Sequence, residues 1–256
     1  MNVVYEATLE VLMARTVPPQ LLRDGNRILR PRDARDLYVN PRAELAAIAE
    51  TGALRRVAIG YYVAPPDSEV LNAEWRPTVE GVALGIGRRD YGARGAALMG
   101  MSAARRHGVV PRAVGVGIVT VPNQRPRLRT KFGEVVFVTR RVDRLDLVRT
   151  RTDVTEGWVT SREQTILDLA DRPILGGVTV ESTSEAITAL AGKVDWELVR
   201  ELARDQRKRA ALARACWLAA AVLDDPPAPP LFRRVVPAAG LRPAATVAAE
   251  RYGVVA

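Results

Sequence analysis

The residues of this chain best suited to chemistry are its arginines. Arg30, Arg32 and Arg35, then Arg42, then the pair Arg55-Arg56 recur through the first quarter of the sequence. A guanidinium is planar, always charged and presents a fork of donors, which matches phosphate oxygens and the acceptor edge of guanine. At this density, beside short helices, such residues point to duplex DNA. A second basic cluster runs from Arg125 to Arg151. It holds Arg125, Arg127, Arg129, Lys131, Arg140, Arg141, Arg144, Arg149 and Arg151 against Glu134, Asp143 and Asp146, so nine minus three leaves +6. That run suits a second nucleic-acid surface and equally a dock for an acidic partner protein. The plainer alternative is a solvated loop face.

The whole chain agrees with a polyanion partner. Its 256 residues carry a formal net charge of +9 and a pI near 10.4, above the value of about 9 that marks nucleic-acid binders. The only lysines are Lys131, Lys193 and Lys208, so the excess is almost wholly arginine. A GC-rich codon bias would favour arginine over lysine, but it does not by itself create net positive charge.

Other chemistries lack their residues. His107 is the only histidine and precedes Gly108, so it is expected to end a helix, where the dipole favours an imidazolium. A Ser-His-Asp triad, a Cys-His pair and a histidine metal cluster are therefore excluded. The lone Cys216 sits in an apolar helical run, which excludes a disulfide framework and predicts a buried, inert thiol. The phosphate loop GxxxxGK[ST] is absent, and Gly85-Ile86-Gly87 is only a fragment of a dinucleotide loop. Asp168 and Asp171 lie on a helix without a lysine or second acid arranged for metal-dependent cleavage. The expectation is a protein that is not an enzyme, with no cofactor and no metal. The N-terminus MNVVYEATLEVLMART has acids in its first ten residues and no apolar core, unlike a signal peptide. No run approaches the ~20 apolar residues of a membrane span. The expected location is the cytoplasm, with no membrane partner.

The elements that must position the arginines can be read in order. Tyr5, Leu9, Leu12 and Met13 predict a first helix, stopped by Pro18-Pro19. Arg30-Pro31 opens a second, through about Tyr38, with Leu37 inward. Asn40 is a good N-cap and Pro41 fits the first turn of a third helix, whose stripe is Leu45, Ile48 and Ala49 and whose stop is Gly52. Leu54 to Val63 then switches to β-branched and aromatic residues around Ala58-Ile59-Gly60, a hairpin with glycine in its turn. Three short helices and a basic ribbon spell a winged helix-turn-helix. In it Asn40 and Arg42 face DNA at the start of the recognition helix, Arg42 reads a base, Arg55 and Arg56 begin the wing, and Arg30, Arg32 and Arg35 flank the helix that crosses the backbone.

The rest mixes helices and strands. Tyr91 to His107 predicts a helix, Val114 to Val121 and Glu134 to Thr139 strands, and Thr160-Ser161-Arg162-Glu163 a capping box opening a helix through about Asp171. Glu181 to Leu190 is helical, and Asp195 caps one longer helix through about Val222. DDPPAPP at 224–230 is a stiff break. The expected fold class is α+β: a winged helix-turn-helix over 1–66, a mixed α/β C-terminal domain over 78–222, and a Pro-rich break and tail over 223–256.

Three segments carry a resemblance to a known family. GALRRVAIGYYVAPP is similar to a glycine, leucine, basic-valine, glycine-x-tyrosine wing; ALMGMSAARRHGVVP to a helix ending in His-Gly; and VTSREQTILDLADRPILGG to a leucine-aspartate-leucine helix. In order and spacing, over most of residues 1–222, the chain resembles the AbiEi-type antitoxins of type IV toxin–antitoxin systems. The resemblance implies a winged helix that binds inverted repeats of double-stranded DNA in the operon's own promoter, as a monomer pair or dimer. It also implies a C-terminal domain that helps neutralise a cognate toxin resembling nucleotidyltransferases, the AbiEii type. Ile59 departs from the basic or small residue that relatives place before the wing glycine, which puts contact there in doubt. The tail beyond the proline break lies outside the match. Two rivals stand beside it: a stand-alone winged-helix regulator without a toxin, and a DNA-binding protein whose C-terminal domain is enzymatic.

Overall fold

The computed structural model describes residues 16–111 and 115–228. Two compact units divide it. The first comprises the chain up to Ala96, Gly115–Arg140 and Arg149–Gly157; the second comprises Ala97–Val114, Arg141–Val148 and the chain from Trp158 onward. The helix expected on Tyr5 to Met13 and the tail after residue 228 lie outside the described residues.

In the first unit, helix α1 (Pro41–Glu50) forms where its signals predict. Asn40 Oδ1 accepts the Ala43 N–H at 3.4 Å, Pro41 occupies the first turn, and Leu45 and Ile48 are buried. They join Leu21, Leu29, Leu54 and Tyr62 in a small core. Strands β1 (Ile28–Leu29), β2 (Arg55–Ala58) and β3 (Tyr61–Val63) form an antiparallel sheet in the order β1-β3-β2. The ribbon turns at Ile59-Gly60, where Gly60 takes φ +76°, a conformation a side chain would resist. Pairing slips between Arg56 and Ala58, a bulge centred on Val57.

The second helix predicted from Pro31 to Tyr38 is instead one 3-10 turn, Pro31–Ala34, and Leu37 is 40% exposed rather than inward. Asp33 closes this turn by accepting the Arg30 N–H at 2.7 Å. Asn40, which precedes Pro41, is non-helical, at φ −125° and ψ 76°, and serves as the N-cap of α1.

The first unit continues past Pro66 into helix α2 (Val79–Tyr91). This helix corrects the reading of Gly85-Ile86-Gly87 as a loop fragment and of a single helix over Tyr91–His107. The glycines lie in the helix body where neighbours approach closely, β1 at Gly85 and Ala96 at Gly87. A Cβ on Gly85 would fall 2.5 Å from the Ile28 side chain and 3.0 Å from Val154. Strands β5 (Val116–Val121) and β7 (Gly133–Thr139) appear where predicted and pair in parallel, from Val116↔Glu134 to Val121↔Thr139. Between them the chain adds β6 (Leu128–Thr130), antiparallel to β7, so the basic segment after β5 is a hairpin rather than an open loop.

In the second unit, β4 (Ala97–Leu98) pairs in parallel with Trp158 and Val159 of strand β9 (Glu156–Thr160). Helices α3 (Gly100–Arg106), α4 (Arg162–Asp171), α5 (Val180–Ala191), α6 (Trp196–Asp205) and α7 (Arg209–Ala219) pack with α4 at the centre. Ser161 caps α4 by accepting the Gln164 N–H at 3.0 Å, and Asp195 caps α6. The helix predicted to run from Asp195 through Val222 is broken in two. Arg207 adopts φ +56°, and the Lys208 N–H turns back to the Ala203 carbonyl at 2.7 Å, a Schellman end. Lys208 also pairs with Asp171 on α4, which rewards the break. Among the described residues no helix is long and apolar enough to cross a membrane.

Candidate nucleic-acid interface

The exposed half of α1 carries the residues expected to read DNA. Arg42 lies on its first turn, exposed, and its guanidinium has no hydrogen bond or ion pair among the described residues. Asn40 is exposed too, but its side-chain oxygen is engaged as the cap. Arg56 on β2 and Arg35 beyond the 3-10 turn are likewise exposed without a partner among the described residues. Ile59 stands at the hairpin tip with 78% of its surface in solvent.

Arg30, Arg32 and Arg125 are placed differently. All three converge on Asp90, near the end of α2, whose carboxylate is only 8% exposed. Asp90 Oδ1 accepts from Arg30 at 2.5 Å and Arg32 at 3.1 Å; Oδ2 accepts from Arg125 at 2.5 Å and from the Tyr61 hydroxyl at 2.5 Å. The Arg125 guanidinium lies 4.3 Å over the Phe137 ring, and that of Arg30 lies 4.8 Å over Tyr61. Burial opposes ionisation of Asp90, but hydrogen bonds from Tyr61, Arg30 and Arg125 outweigh it and hold its carboxyl below the usual range. Burial and then Asp90 push the Tyr61 phenol up. Three guanidiniums against one carboxylate leave +2, half-sheltered and fixed in place. Arg89 completes the tie by donating to the carbonyls of Ile28 at 2.6 Å and Asn26 at 3.0 Å, which straps β1 to α2.

Arg55, the other arginine of β2, turns away from the hairpin tip. It is half-buried and donates to the carbonyls of Asn72 at 3.1 Å and Ala73 at 3.3 Å. Arg76 donates to the same Ala73 carbonyl at 3.0 Å. These side chains edge a cavity of about 660 Å³ between the last turns of α1, β2 and the tip of the β6–β7 hairpin, which also takes in Arg56, Tyr62, Lys131 and Phe132. The Lys131 N–H donates to the Val57 carbonyl at 2.9 Å, at the bulge of β2. Residues 74 positions apart in sequence are thus neighbours, and part of the second basic cluster sits against the β2–β3 hairpin.

The remainder of that cluster divides. Arg129 and Lys131 are exposed without a partner among the described residues. Arg127 pairs with Glu134 at 3.2 Å. Arg140 is half-buried at the end of β7. Arg141 belongs to the second unit and pairs with exposed Asp143 at 2.7 Å.

Sequence reasoning missed Asp90, Tyr61, Arg76 and Arg89. Asp90 is one carboxylate in a basic helix end, and nothing local marks it as the acceptor for residues 35 and 60 positions away. In the second unit, His107 does end α3, but as a neutral ring. Burial lowers its pKa below the ordinary value, more than the hydrogen bond with Thr160 raises it, and Nε2 lies 2.7 Å from the Thr160 carbonyl, to which it donates. The helix-end imidazolium expected from the dipole is overridden by desolvation. Cys216 is buried, and desolvation pushes its thiol up to about 12, as an inert core thiol requires. Asp168 is buried in α4 and accepts from Gln164 at 3.1 Å, with Gln206 of the α6 end bonded to Gln164.

No protein-family model and no curated protein matches the chain. Solved structures do. The crystal structure of the RV2827C protein from Mycobacterium tuberculosis superposes with a TM-score of 0.53 at 18% identity, covering 80% of this chain and 77% of that one. The two share a mixed α/β fold.

Proposed function

We propose that the first unit is a double-stranded-DNA-binding module of the winged-helix kind and that the protein is an antitoxin that represses its own operon. The observation that carries the DNA reading is the exposed, unpaired Arg42 on the first turn of α1, followed directly by a basic β-hairpin. Residues at the N-terminal end of a recognition helix reach base edges first. Arg42 then reads a guanine, while Arg35 and Arg56 hold phosphates and fix the register. Inverted repeats call for two copies of the module, as a dimer or as monomers side by side. The antitoxin half of the reading rests on the resemblance to AbiEi-type proteins, with the second unit acting on a nucleotidyltransferase-like toxin. Such a repressor works in the cytoplasm.

The DNA test is equilibrium binding to a duplex carrying the operon's own upstream sequence and to a scrambled duplex of equal length. Preference for the first is expected, and equal affinity for both would sink sequence-specific repression. The antitoxin test is co-expression with the adjacent gene, scored for growth rescue. Loss of rescue with operator binding intact would leave a stand-alone regulator.

A further inference from the structure

We propose that the β6–β7 hairpin is a second DNA grip, in which Arg129 and Lys131 hold the phosphates of the strand running beside the wing. This rests on the DNA-binding reading of the first unit and adds a contact that the winged-helix argument does not contain.

Three observations carry it. The first is attachment: the Lys131 N–H is bonded to the Val57 carbonyl of β2 at 2.9 Å, so the hairpin tip is fixed to the wing strand itself. The tip is also stiff. Thr130 Oγ1 donates to the Gly133 carbonyl at 2.6 Å and accepts the Phe132 N–H at 3.1 Å, which closes the turn on its own side chain.

The second is charge. Glu134, the one carboxylate on the hairpin, is engaged by Arg127 at 3.2 Å. Arg129 and Lys131 are left exposed without a partner among the described residues. The cavity between hairpin and wing is lined by Arg55, Arg56, Arg76 and Lys131 against Glu50, so four minus one leaves +3. Arg55 and Arg76 are held to backbone carbonyls, so their positive charge is in place before a ligand arrives.

The third is distance. The cavity touches Ala46, Ala49 and Glu50 on the later turns of α1, four to eight residues from Arg42. At about 1.5 Å per residue that is about 6–12 Å, within the width of a major groove. If Arg42 touches a base edge, the basic cavity lies where the flanking phosphate strand passes. Phosphate oxygens are the ligand class that fits an open, cationic, hydrogen-bond-donating surface of this kind.

The test measures binding of the full chain to the upstream and scrambled duplexes over a salt series, for wild type, Arg42→Ala and the double variant Arg129→Gln/Lys131→Gln. Each phosphate contact contributes about 0.9 to the slope of log K against log salt. The double variant should therefore flatten the slope by about 1.8 and weaken both duplexes alike, with an unchanged thermal melt. Arg42→Ala should instead erase the difference between duplexes. Arg129→Lys, which keeps the charge, should keep the slope. A double variant with wild-type slope and affinity, while Arg42→Ala loses preference, overturns the second grip and leaves the winged-helix reading intact. The same result with loss of co-purification of an acidic protein also overturns it, and makes the hairpin a protein dock. Failure of the wild type to bind either duplex removes both the grip and the reading beneath it.

Discussion

Arg30, Arg32 and Arg125 converge on Asp90, whereas Arg42 and Arg56 meet no carboxylate among the described residues. All five are arginines of one basic unit, and composition treats them alike. The difference is made by one residue near the end of α2, which draws in guanidiniums from the 3-10 turn and from the loop after β5. The first set is tied to a buried anion, with Arg30 and Arg125 stacked on aromatic rings. The second is hydrated and free to change partners. A basic sequence therefore overstates its own interface: charge that cross-links the fold is present in the count but is not offered to a ligand.

Breaking the sheltered set should show first in stability. Asp90→Ala strips the shared acceptor and leaves Arg30 and Arg125 without their carboxylate, while Arg32 keeps Asp33 at 3.8 Å. Removing one partner of a buried ion pair costs about 3–5 kcal/mol, and the partial exposure of the arginines puts this case near about 3 kcal/mol. A denaturant titration checks it, and a variant within about 0.5 kcal/mol of wild type would show that the cluster does not hold the unit together. Arg42→Ala is the mirror image. It should cost ~1–3 kcal/mol of discrimination at one base pair and leave the unfolding midpoint unmoved. If it lowers the midpoint instead, Arg42 belongs with the structural set.

Acid sharpens the contrast. The folded-state pKa of Asp90 lies below its unfolded value of about 3.9. The stabilisation from its charge is thus fully present above about pH 4 and is lost as pH falls through the lower folded value. The stability gap between wild type and Asp90→Asn, measured by melting, should shrink as acid protonates the native carboxylate; a gap constant to low pH would contradict an ionised Asp90. The smallest effect expected is that of Arg32→Gln. Arg32 is the most exposed of the three, at 44%, and an exposed pair is worth about 1 kcal/mol or less. A loss as large as that of Asp90→Ala would mean Arg32 is the keystone rather than the fringe.

What could be read from the residues was local. Asn40, Ser161 and Asp195 announce helix starts through their own side chains, and Gly60 marks the turn of a hairpin built from β-branched and aromatic residues. What could not be read depends on distant neighbours. Gly85 looks like a loop until Ile28 and Val154 are set against it, so α2 was invisible and a helix was placed too late. The Pro31 segment makes only one 3-10 turn, and its opening signals, Pro31 and Asp33, do not encode where it stops. In the site, the exposure of Arg42 and Arg56 follows from α1 and the hairpin, both legible. The diversion of Arg30, Arg32 and Arg125 does not, since Asp90 is separated from them by 35 to 60 residues. The meeting of Lys131 with Val57 needed the parallel pairing of β5 and β7, which no short pattern encodes.

The first unit is sewn shut by its last segment. Asp153 accepts from Thr78 at the start of α2, and the Val154 carbonyl accepts the Arg27 N–H just before β1. On a ribosome those stitches cannot both form until residue 154 has been made, 58 residues after Ala96. At roughly 5–20 residues per second that is a wait of roughly 3–12 s. During it α1 and its hairpin exist without their final clasp, beside a stretch of β5–β7 that is still unsupported. Synthesis thus imposes a delay between making the β2–β3 hairpin and completing the unit that carries it, and an emerging chain would close its first unit only after more than half of it has been translated.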